Sequence, residues 1–453
     1  MSDTTYMEEL GRLVVVGQGY VGLPLSMRAV AVGWRVVGVD VDEGRAKRLA
    51  AGESYVDDVT DDDLCTALGT GRYQPVAEYG PAAGFDVAVV TVPTPLAEGA
   101  PDLSYIAEAG RSLARLVRPG ATVVLESTTY PGTTEELFAP LLEAGSGLLA
   151  GRDFRLGYSP ERIDPGNRTW NLANTPKVVS GVDEASLAAV RAFFDTIVTQ
   201  TVAVSSTRTA ELTKLLENTF RHVNIALVNE LAMVAGQLGV DVWEAIEAAS
   251  TKPYGFMRFT PGPGVGGHCL PIDPSYLSWR VRRSLGRNFR FVELANDVND
   301  HMPDHVVARV TEVLNRRRRP VLGSRILLLG LAYKKNSGDA RESPAIRVAS
   351  LLADLGADVR AADPHVERAQ VPAAVRPVAL DEAELAAADL VVVLVDHDQF
   401  PRDLVARHAR AVLDTRRWLP VTPRIPAQRF APVAERLGPA SWERAGSPLV
   451  ESL

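Results

Sequence analysis

Three groups of residues have the types and spacing to do chemistry. The first is Gly17-Gln18-Gly19-Tyr20-Val21-Gly22, which follows the β-branched run Leu13 to Val16 and opens a helical pattern, with Asp40 closing the next apolar run. In that setting Gly17 permits a tight turn, Gly19 lets a pyrophosphate approach the backbone, and Gly22 lets helix and strand pack closely. The helix N-terminus, which carries Tyr20 and Val21, offers N–H groups and a positive dipole end to a diphosphate. Asp40 would accept the adenosine ribose hydroxyls and repel a 2′-phosphate. NAD is therefore expected over NADP, an expectation tempered by Arg45.

The second group is the loop Pro261-Gly262-Pro263-Gly264-Val265-Gly266-Gly267-His268-Cys269-Leu270-Pro271-Ile272-Asp273-Pro274. Glycines this dense can wrap a polar ligand with backbone N–H groups, and a cysteine among them is a candidate nucleophile. Cys65 has no such setting and reads as packing. The third group is Lys214 and Asn218, spaced i, i+4 and so on one helix face. Only six of the 48 basic residues are Lys, and an ammonium beside a carboxamide can hold an oxyanion. Taken alone, Lys214 reads more readily as a solvent-facing side chain. The proline-framed acids of Tyr158 to Gly166 and the Lys- and Arg-bearing turn Gly330 to Pro344 are weaker candidates.

These residues need a scaffold. Strands are expected at Leu13–Val16, Arg35–Val41, Val87–Val92 and Thr122–Glu126, with helical stretches between them, the first running through Ala31; such alternation reads as an open parallel sheet. Ser206 to Val240 reads as one long helix and Asp241 to Ala249 as a second. The last third repeats strand, helix, strand, with Asp363 standing where Asp40 stands in the first unit and a further strand at Leu390–Val395. Residues 420–453 are Pro-rich and less regular and are assigned no function. The expected architecture is α/β: two Rossmann-like, doubly wound parallel-sheet lobes joined by a long-helix central domain. Its bounds are residues 1–204, 205–318 and 319–453, and the long helix is a candidate dimer interface.

Composition narrows the classes. Net charge is 48 − 56 = −8, which argues against a nucleic-acid partner; Arg316 to Arg319 lacks interleaved aromatics and reads as a solvated face. No run of 18 apolar residues suggests a membrane span. Two cysteines make no disulfide framework, and the polar, acidic start is unlike a signal peptide, so a cytoplasmic protein is expected. His301, His305, His365 and His397 fit no ligand spacing, so no metal site is expected.

Together the motifs resemble the UDP-glucose/GDP-mannose dehydrogenase family, the nucleotide-sugar 6-dehydrogenases. From Leu13 to about Trp418 the chain carries, in the family's order, GxGxxG, VPTP at Val92–Pro95, ESTTYPGTT at Glu126–Thr134, SPER, the Lys–Asn helix, GGHC and GLAYKKNSGDARESPA. The resemblance implies oxidation of the C6 hydroxymethyl of a nucleoside-diphosphate hexose to a carboxylate with two NAD⁺. It implies Cys269 as nucleophile, Lys214 as catalytic lysine with Asn218 beside it, Asp273 in proton handling, Glu161 as the base for thioester hydrolysis and Thr128 in positioning water. It further implies Thr94, Ser127, Thr129 and Arg341 as cofactor contacts, and Tyr333, Lys334 and Arg416 as substrate contacts. Arg162, Arg258, Thr260, Gly264 and Gly266 complete that substrate set. A UDP- or dTDP-glucose type substrate is the first expectation. HCLPID, in place of SC followed by Pro-Lys-Asp, and SPERIDPGN resemble the UDP-N-acetylhexosamine branch, which is the alternative. Cys269 argues against a two-electron hydroxyacid or 6-phosphogluconate type dehydrogenase. Cys269, Lys214, Asp273 and Glu161 together argue against a non-catalytic sensor.

Overall fold

Short Val- and Leu-rich runs bounded by glycine and charge become the central strands of two sheets. The computed structural model describes residues 10–420 and 449–452, apart from Glu98, Pro165, Gly166, Arg168, His268, Cys269 and Pro271. The chain divides into two units, one of Met1–Thr219 with Ile272–Phe289, the other of Phe220–Pro271 with Arg290–Leu453.

In the first unit eight strands lie in the order Thr201–Ala203, Lys177–Gly181, Arg155–Tyr158, Thr122–Leu125, Val87–Val90, Arg12–Val16, Arg35–Val39, Tyr73–Val76. Side chains alternate between the faces: Leu13 and Val15 join one buried core, Val14 and Val16 the other. Pairing is parallel except between Arg155–Tyr158 and Lys177–Gly181, which run antiparallel. No helix is found among the described residues between these two strands. The chain therefore reverses on itself instead of crossing over, a departure from the all-parallel expectation.

The expected strands end early for local reasons. Arg35–Val39 stops because Asp40 turns its carboxylate to the N–H groups of Gln18 and Asp42. Val87–Val90 stops where Pro93 and Pro95 remove ladder donors. Thr122–Leu125 stops before Glu126, since the Glu126 and Ser127 N–H groups both turn to the Val90 carbonyl. The first helix, Gly22–Val32, closes on Gly33 at φ 112°. The long helix is Thr207–Ala235, ended five residues before the expected Val240 by Gly236 and Gly239, the latter at φ 69°.

In the second unit six parallel strands lie in the order Arg376–Pro377, Asp358–Ala362, Arg325–Leu329, Leu390–Val393, Ala411–Asp414, Leu449–Ser452. Ile326 and Leu328 enter one core and Leu327 and Leu329 the other. The strand expected to reach Val395 stops at Val393, since Leu394 and Val395 both turn their N–H groups to the Leu329 carbonyl. The helix Arg290–Arg316 packs on Pro344–Asp354, and Arg316 to Arg319 are exposed, with Arg319 paired to Asp389. Among the described residues no helix is long and apolar enough to cross a membrane.

Candidate active site

The turn after the first strand is shaped to hold an anion by its backbone. Gly17 lies at φ 91°, and a Cβ there would stand 2.8 Å from the Thr91 carbonyl oxygen; at Gly22 it would stand 1.8 Å from the Gly17 carbonyl oxygen. The protein's own backbone demands both glycines. At Gly19 a Cβ would meet nothing within 4 Å, so that glycine leaves open room in front of the turn. No side chain caps Gly22–Val32 and no acid sits in its first turn, so its positive end is left for a ligand. Asp40 is 7% exposed, accepts from the N–H groups of Gln18 at 3.0 Å and Asp42 at 3.1 Å, and has the Arg45 guanidinium 3.8 Å away. Tyr20 is exposed. These residues fit a dinucleotide.

Sequence reasoning missed Gln18. Its fully buried side chain donates to the Val15 carbonyl at 2.9 Å and accepts from the hydroxyls of Tyr73 at 2.8 Å and Ser26 at 3.1 Å. A Cβ on Gly38 would stand 2.6 Å from its Oε1. The Tyr55 hydroxyl donates to the Gln18 carbonyl at 2.8 Å. Burial pushes both phenols up, so they stay protonated donors. The available signal was a long amide between two functional glycines.

Several nominated catalytic groups come together elsewhere in the same unit. Lys214 and Asn218 share a face of Thr207–Ala235 that points inward: they are 8% and 3% exposed. The solvent-facing reading of Lys214 therefore does not hold. Lys214 Nζ donates to the Glu161 carbonyl oxygen at 2.5 Å, and Asn218 Nδ2 donates to Asp273 Oδ2 at 2.6 Å. Asp273 opens the helix Asp273–Leu285. One turn on, the Tyr276 hydroxyl donates to the Thr94 carbonyl, and Thr94 Oγ1 donates to the Thr128 carbonyl oxygen at 2.9 Å. A lysine, a carboxamide and two carboxylates thus converge, with half-buried Thr128 tied in through Thr94.

Glu161 is held by three elements. Its Oε1 accepts from the N–H groups of Arg162, at 2.6 Å, and Ile163, while Oε2 lies 3.6 Å from Lys177 Nζ. Lys177 also pairs with Glu126, and both are buried. Burial pushes Glu126 up to about 8. Burial would raise Glu161 too, but the Lys177 ammonium, a hydrogen bond with Glu126 and the Lys214 ammonium outweigh it and hold Glu161 below its ordinary value. Neither Glu126 nor Lys177 was singled out as a site residue from sequence; a lysine opening the apolar strand KVVSG was the signal.

The remaining residues of this unit brace the segments. Arg162 reaches Glu217 at 2.7 Å and the Pro176 carbonyl at 2.6 Å. Glu211 accepts from the Gly132 and Thr134 N–H groups and the Thr134 hydroxyl, tying the ESTTYPGTT segment to the long helix; burial pushes it up to about 7. The Ser127 hydroxyl donates to the Val92 carbonyl and that of Thr129 to Thr133 Oγ1, so both are engaged within the protein.

In the second unit the glycine loop packs on the turn after Arg325–Leu329. A Cβ on Gly266 would meet Tyr333 Cβ at 2.8 Å and the Glu342 carbonyl at 2.6 Å; one on Gly267 would meet the Tyr333 ring at 2.8 Å, and one on Gly262 would meet Arg416 Nη1 at 2.6 Å. Gly264, at φ 132°, backs onto Pro344. The density of glycine is thus set partly by the closeness of Tyr333 and Arg416. Arg416 lies 3.4 Å from Asp396, Arg341 forks onto Asp339, and Arg258 pairs with Glu247. Thr260 and Lys334 are half-buried. Cys269 and His268 lie outside the described residues.

Three family models match the chain: the NAD binding domain of the UDP-glucose/GDP-mannose dehydrogenase family over residues 11–198, its central domain over 208–301 and its UDP binding domain over 327–420. Among similar curated proteins is the UDP-N-acetyl-D-mannosamine dehydrogenase of Pyrococcus horikoshii, 35% identical over 390 residues, covering 86% of this chain and 90% of that one. Another is the UDP-N-acetyl-D-glucosamine 6-dehydrogenase of Pseudomonas aeruginosa, 36% identical over 395 residues, covering 86% and 91%. A solved structure of UDP-D-ManNAc dehydrogenase from Pyrococcus horikoshii superposes with a TM-score of 0.83 at 34% identity, covering 91% of this chain and 97% of that one.

Proposed function

The chain belongs to the UDP-glucose/GDP-mannose dehydrogenase family of NAD-binding oxidoreductases, and from that premise we propose that it oxidises C6 of a UDP-N-acetylhexosamine, of the glucosamine or mannosamine type, to the carboxylate through a cysteine-bound intermediate. The observation that carries the reading is the buried convergence of Lys214, Asn218, Asp273 and Glu161. The glucose-type expectation yields to its alternative because the similar curated proteins act, by their names, on N-acetylated sugars, in line with HCLPID and SPERIDPGN. Residues 1–204 would serve the cofactor, 205–318 catalysis and pairing, and 319–453 the sugar nucleotide.

Bound NAD⁺ supplies the hydride acceptor for each of the two oxidations. Gly17, Gly19, Gly22 and Asp40 hold it, with Arg341 as a further contact. Asp273, with Lys214 and a water, takes the C6 hydroxyl proton in the first oxidation. The Cys269 thiolate adds to the aldehyde, so the reactive product cannot escape, and oxidation of that thiohemiacetal gives a thioester. The Lys214 ammonium and Asn218 carboxamide stabilise the oxyanions on either side of this step. Glu161 takes a proton from the water that attacks the thioester, and the Cys269 thiolate leaves. Tyr333, Lys334 and Arg416 meet the sugar nucleotide. Phe220, Leu227, Leu231 and Val234 form an exposed apolar stripe on the long helix, which supports a helix-mediated dimer.

The test is incubation with NAD⁺ and, separately, UDP-N-acetylglucosamine, UDP-N-acetylmannosamine, UDP-glucose, dTDP-glucose and GDP-mannose. Two NADH per UDP-N-acetylhexosamine and no free aldehyde are expected. Turnover of a glucose nucleotide alone overturns the substrate class, and near-normal uronic acid from Cys269→Ala overturns the covalent route. Light scattering of the same preparation should read a dimer or larger; monomer alone removes the assembly.

A further inference from the structure

We propose that Lys177 and Glu126 are positioning residues for the hydrolytic base: Lys177 spans the buried carboxyl groups of Glu126 and Glu161 and keeps Glu161 an aimed anion, while Glu126 is the neutral acid of the trio. The inference rests on the reading of Glu161 as the base of thioester hydrolysis and extends it to two residues that carry no role in that reading.

The sheet makes the trio. Glu126 follows Thr122–Leu125, and Glu161 follows Arg155–Tyr158 by three residues. Lys177 is the first residue of the antiparallel strand Lys177–Gly181. Because that strand runs backwards, its beginning meets the ends of the other two. The side chains of Lys177, Glu126 and Glu161 are 3%, 0% and 11% exposed. The Phe194 ring lies 5.1 Å from Lys177 Nζ and excludes water on that side. The only ammonium acting on Glu126 among the described residues is that of Lys177, which Glu161 shares, so ionising both buried carboxyls is costly and one keeps a proton. Glu161 accepts two backbone N–H bonds, and the Lys214 ammonium also favours its ionised form. Glu126 Oε2, by contrast, is buried with no donor among the described residues. The proton therefore belongs on Glu126, and burial pushing that group up to about 8 agrees. The other groups facing the trio are the buried Tyr158 phenol, which also feels the Glu211 and Asp273 carboxylates, and the Arg162–Glu217 pair.

In the hydrolytic step water adds to the thioester carbonyl, its proton passes to Glu161, and the carbon–sulfur bond breaks to release the Cys269 thiolate. An anionic, fixed Glu161 is needed at the start of each such event. Without Lys177 its carboxyl would be less firmly held as the anion and less firmly aimed.

The experiment follows both half-reactions in single turnovers with a UDP-N-acetylhexosamine across pH. Lys177→Met should slow thioester hydrolysis about tenfold more than the first oxidation at pH 7, and should move the acid limb of hydrolysis up by about one pH unit. Thioester on Cys269 should then accumulate and be visible by intact-protein mass spectrometry. Lys177→Arg should restore the limb. Wild-type hydrolysis should fall as Glu126 ionises toward pH 8, and Glu126→Gln, shaped like the neutral acid, should lack that fall. Equal slowing of both half-reactions with an unmoved limb, or an alkaline fall that persists in Glu126→Gln, overturns the inference. Should Lys177→Met not fold, Glu126→Gln decides alone. Wild-type inactivity on every nucleotide sugar overturns the proposed function instead; wild-type activity with unmoved limbs overturns only the trio.

Discussion

The two strand–turn–helix–strand units start identically and then spend the same aspartate differently. In each, a glycine at positive φ follows the first strand, Gly17 at 91° and Gly330 at 87°, and its N–H bonds the last carbonyl of the second strand, Val39 at 2.7 Å and Ala362 at 2.9 Å. In each, the next N–H, of Gln18 or Leu331, reaches the aspartate after that strand, and the aspartate also accepts from the residue two further on, Asp42 or His365. There the likeness ends. Asp363 also takes the N–H groups of Ala332 and Val366 and Nε2 of the fully buried His397, whose Nδ1 accepts from the Asn336 N–H at 2.9 Å. The carboxylate of Asp363 is taken up by the longer turn that carries Tyr333 and Lys334 and by the groups that brace it, whereas Asp40 keeps capacity for a ribose. An acid at this place is thus a ligand group or a loop lock according to the length of the turn it faces.

Removing each acid should separate the two roles. Asp363→Ala, which strands several buried donors, should cost about 3–5 kcal/mol of stability, and Asp40→Ala only about 1 kcal/mol. Thermal and denaturant melts check this, and equal losses would erase the contrast. Next in size, Asp40→Ser should narrow the preference for NAD⁺ over NADP⁺ by about tenfold or more, since the carboxylate no longer faces a 2′-phosphate. Asp363→Asn should leave that ratio where it was; a shared response in the ratio of catalytic efficiencies would break the assignment.

The smallest effect is in acid. Burial would raise Asp363, but the His397 hydrogen bond and the Leu331, His365 and Val366 N–H groups outweigh it and hold the carboxyl well below the usual range. Its native value being depressed, it contributes stability above the unfolded value of about 4 and loses it as pH falls through the native one. Melts between pH 6 and pH 3, each about one unit apart, should therefore steepen for wild type and flatten for Asp363→Asn. Parallel curves would count against the lock.

Much of this was legible from residues. The glycine motif and Asp40 announced the first unit, and the echo at Asp363 announced the second. The inward Lys214–Asn218 face was only half legible, because i, i+4 spacing says that two side chains share a face and not which way it looks. Asp363 was read as a repeat of Asp40 because its extra partners, Val366 and His397, come from beyond the motif. Lys177 stood out only as a lysine opening an apolar strand, and its meeting with Glu126 was not legible, since it depends on one antiparallel strand that no local pattern marks. The edge strand Leu449–Ser452 escaped for a similar reason, being four residues long and paired across a long separation with Ala411–Asp414.

The Gln18 amide has a consequence for heredity. Gly38 leaves no room for a methyl beside Gln18 Oε1, while Tyr73 and Ser26 donate to that same oxygen. A substitution at any of these four positions meets the other three already fitted to the amide, so its cost depends on them. A lineage that exchanges the amide for a smaller group must also refill the space around Gly38 and rehouse two hydroxyls, and each step alone is worse than the start. The four positions should drift together or not at all, so that descendants differ here by blocks rather than by single letters.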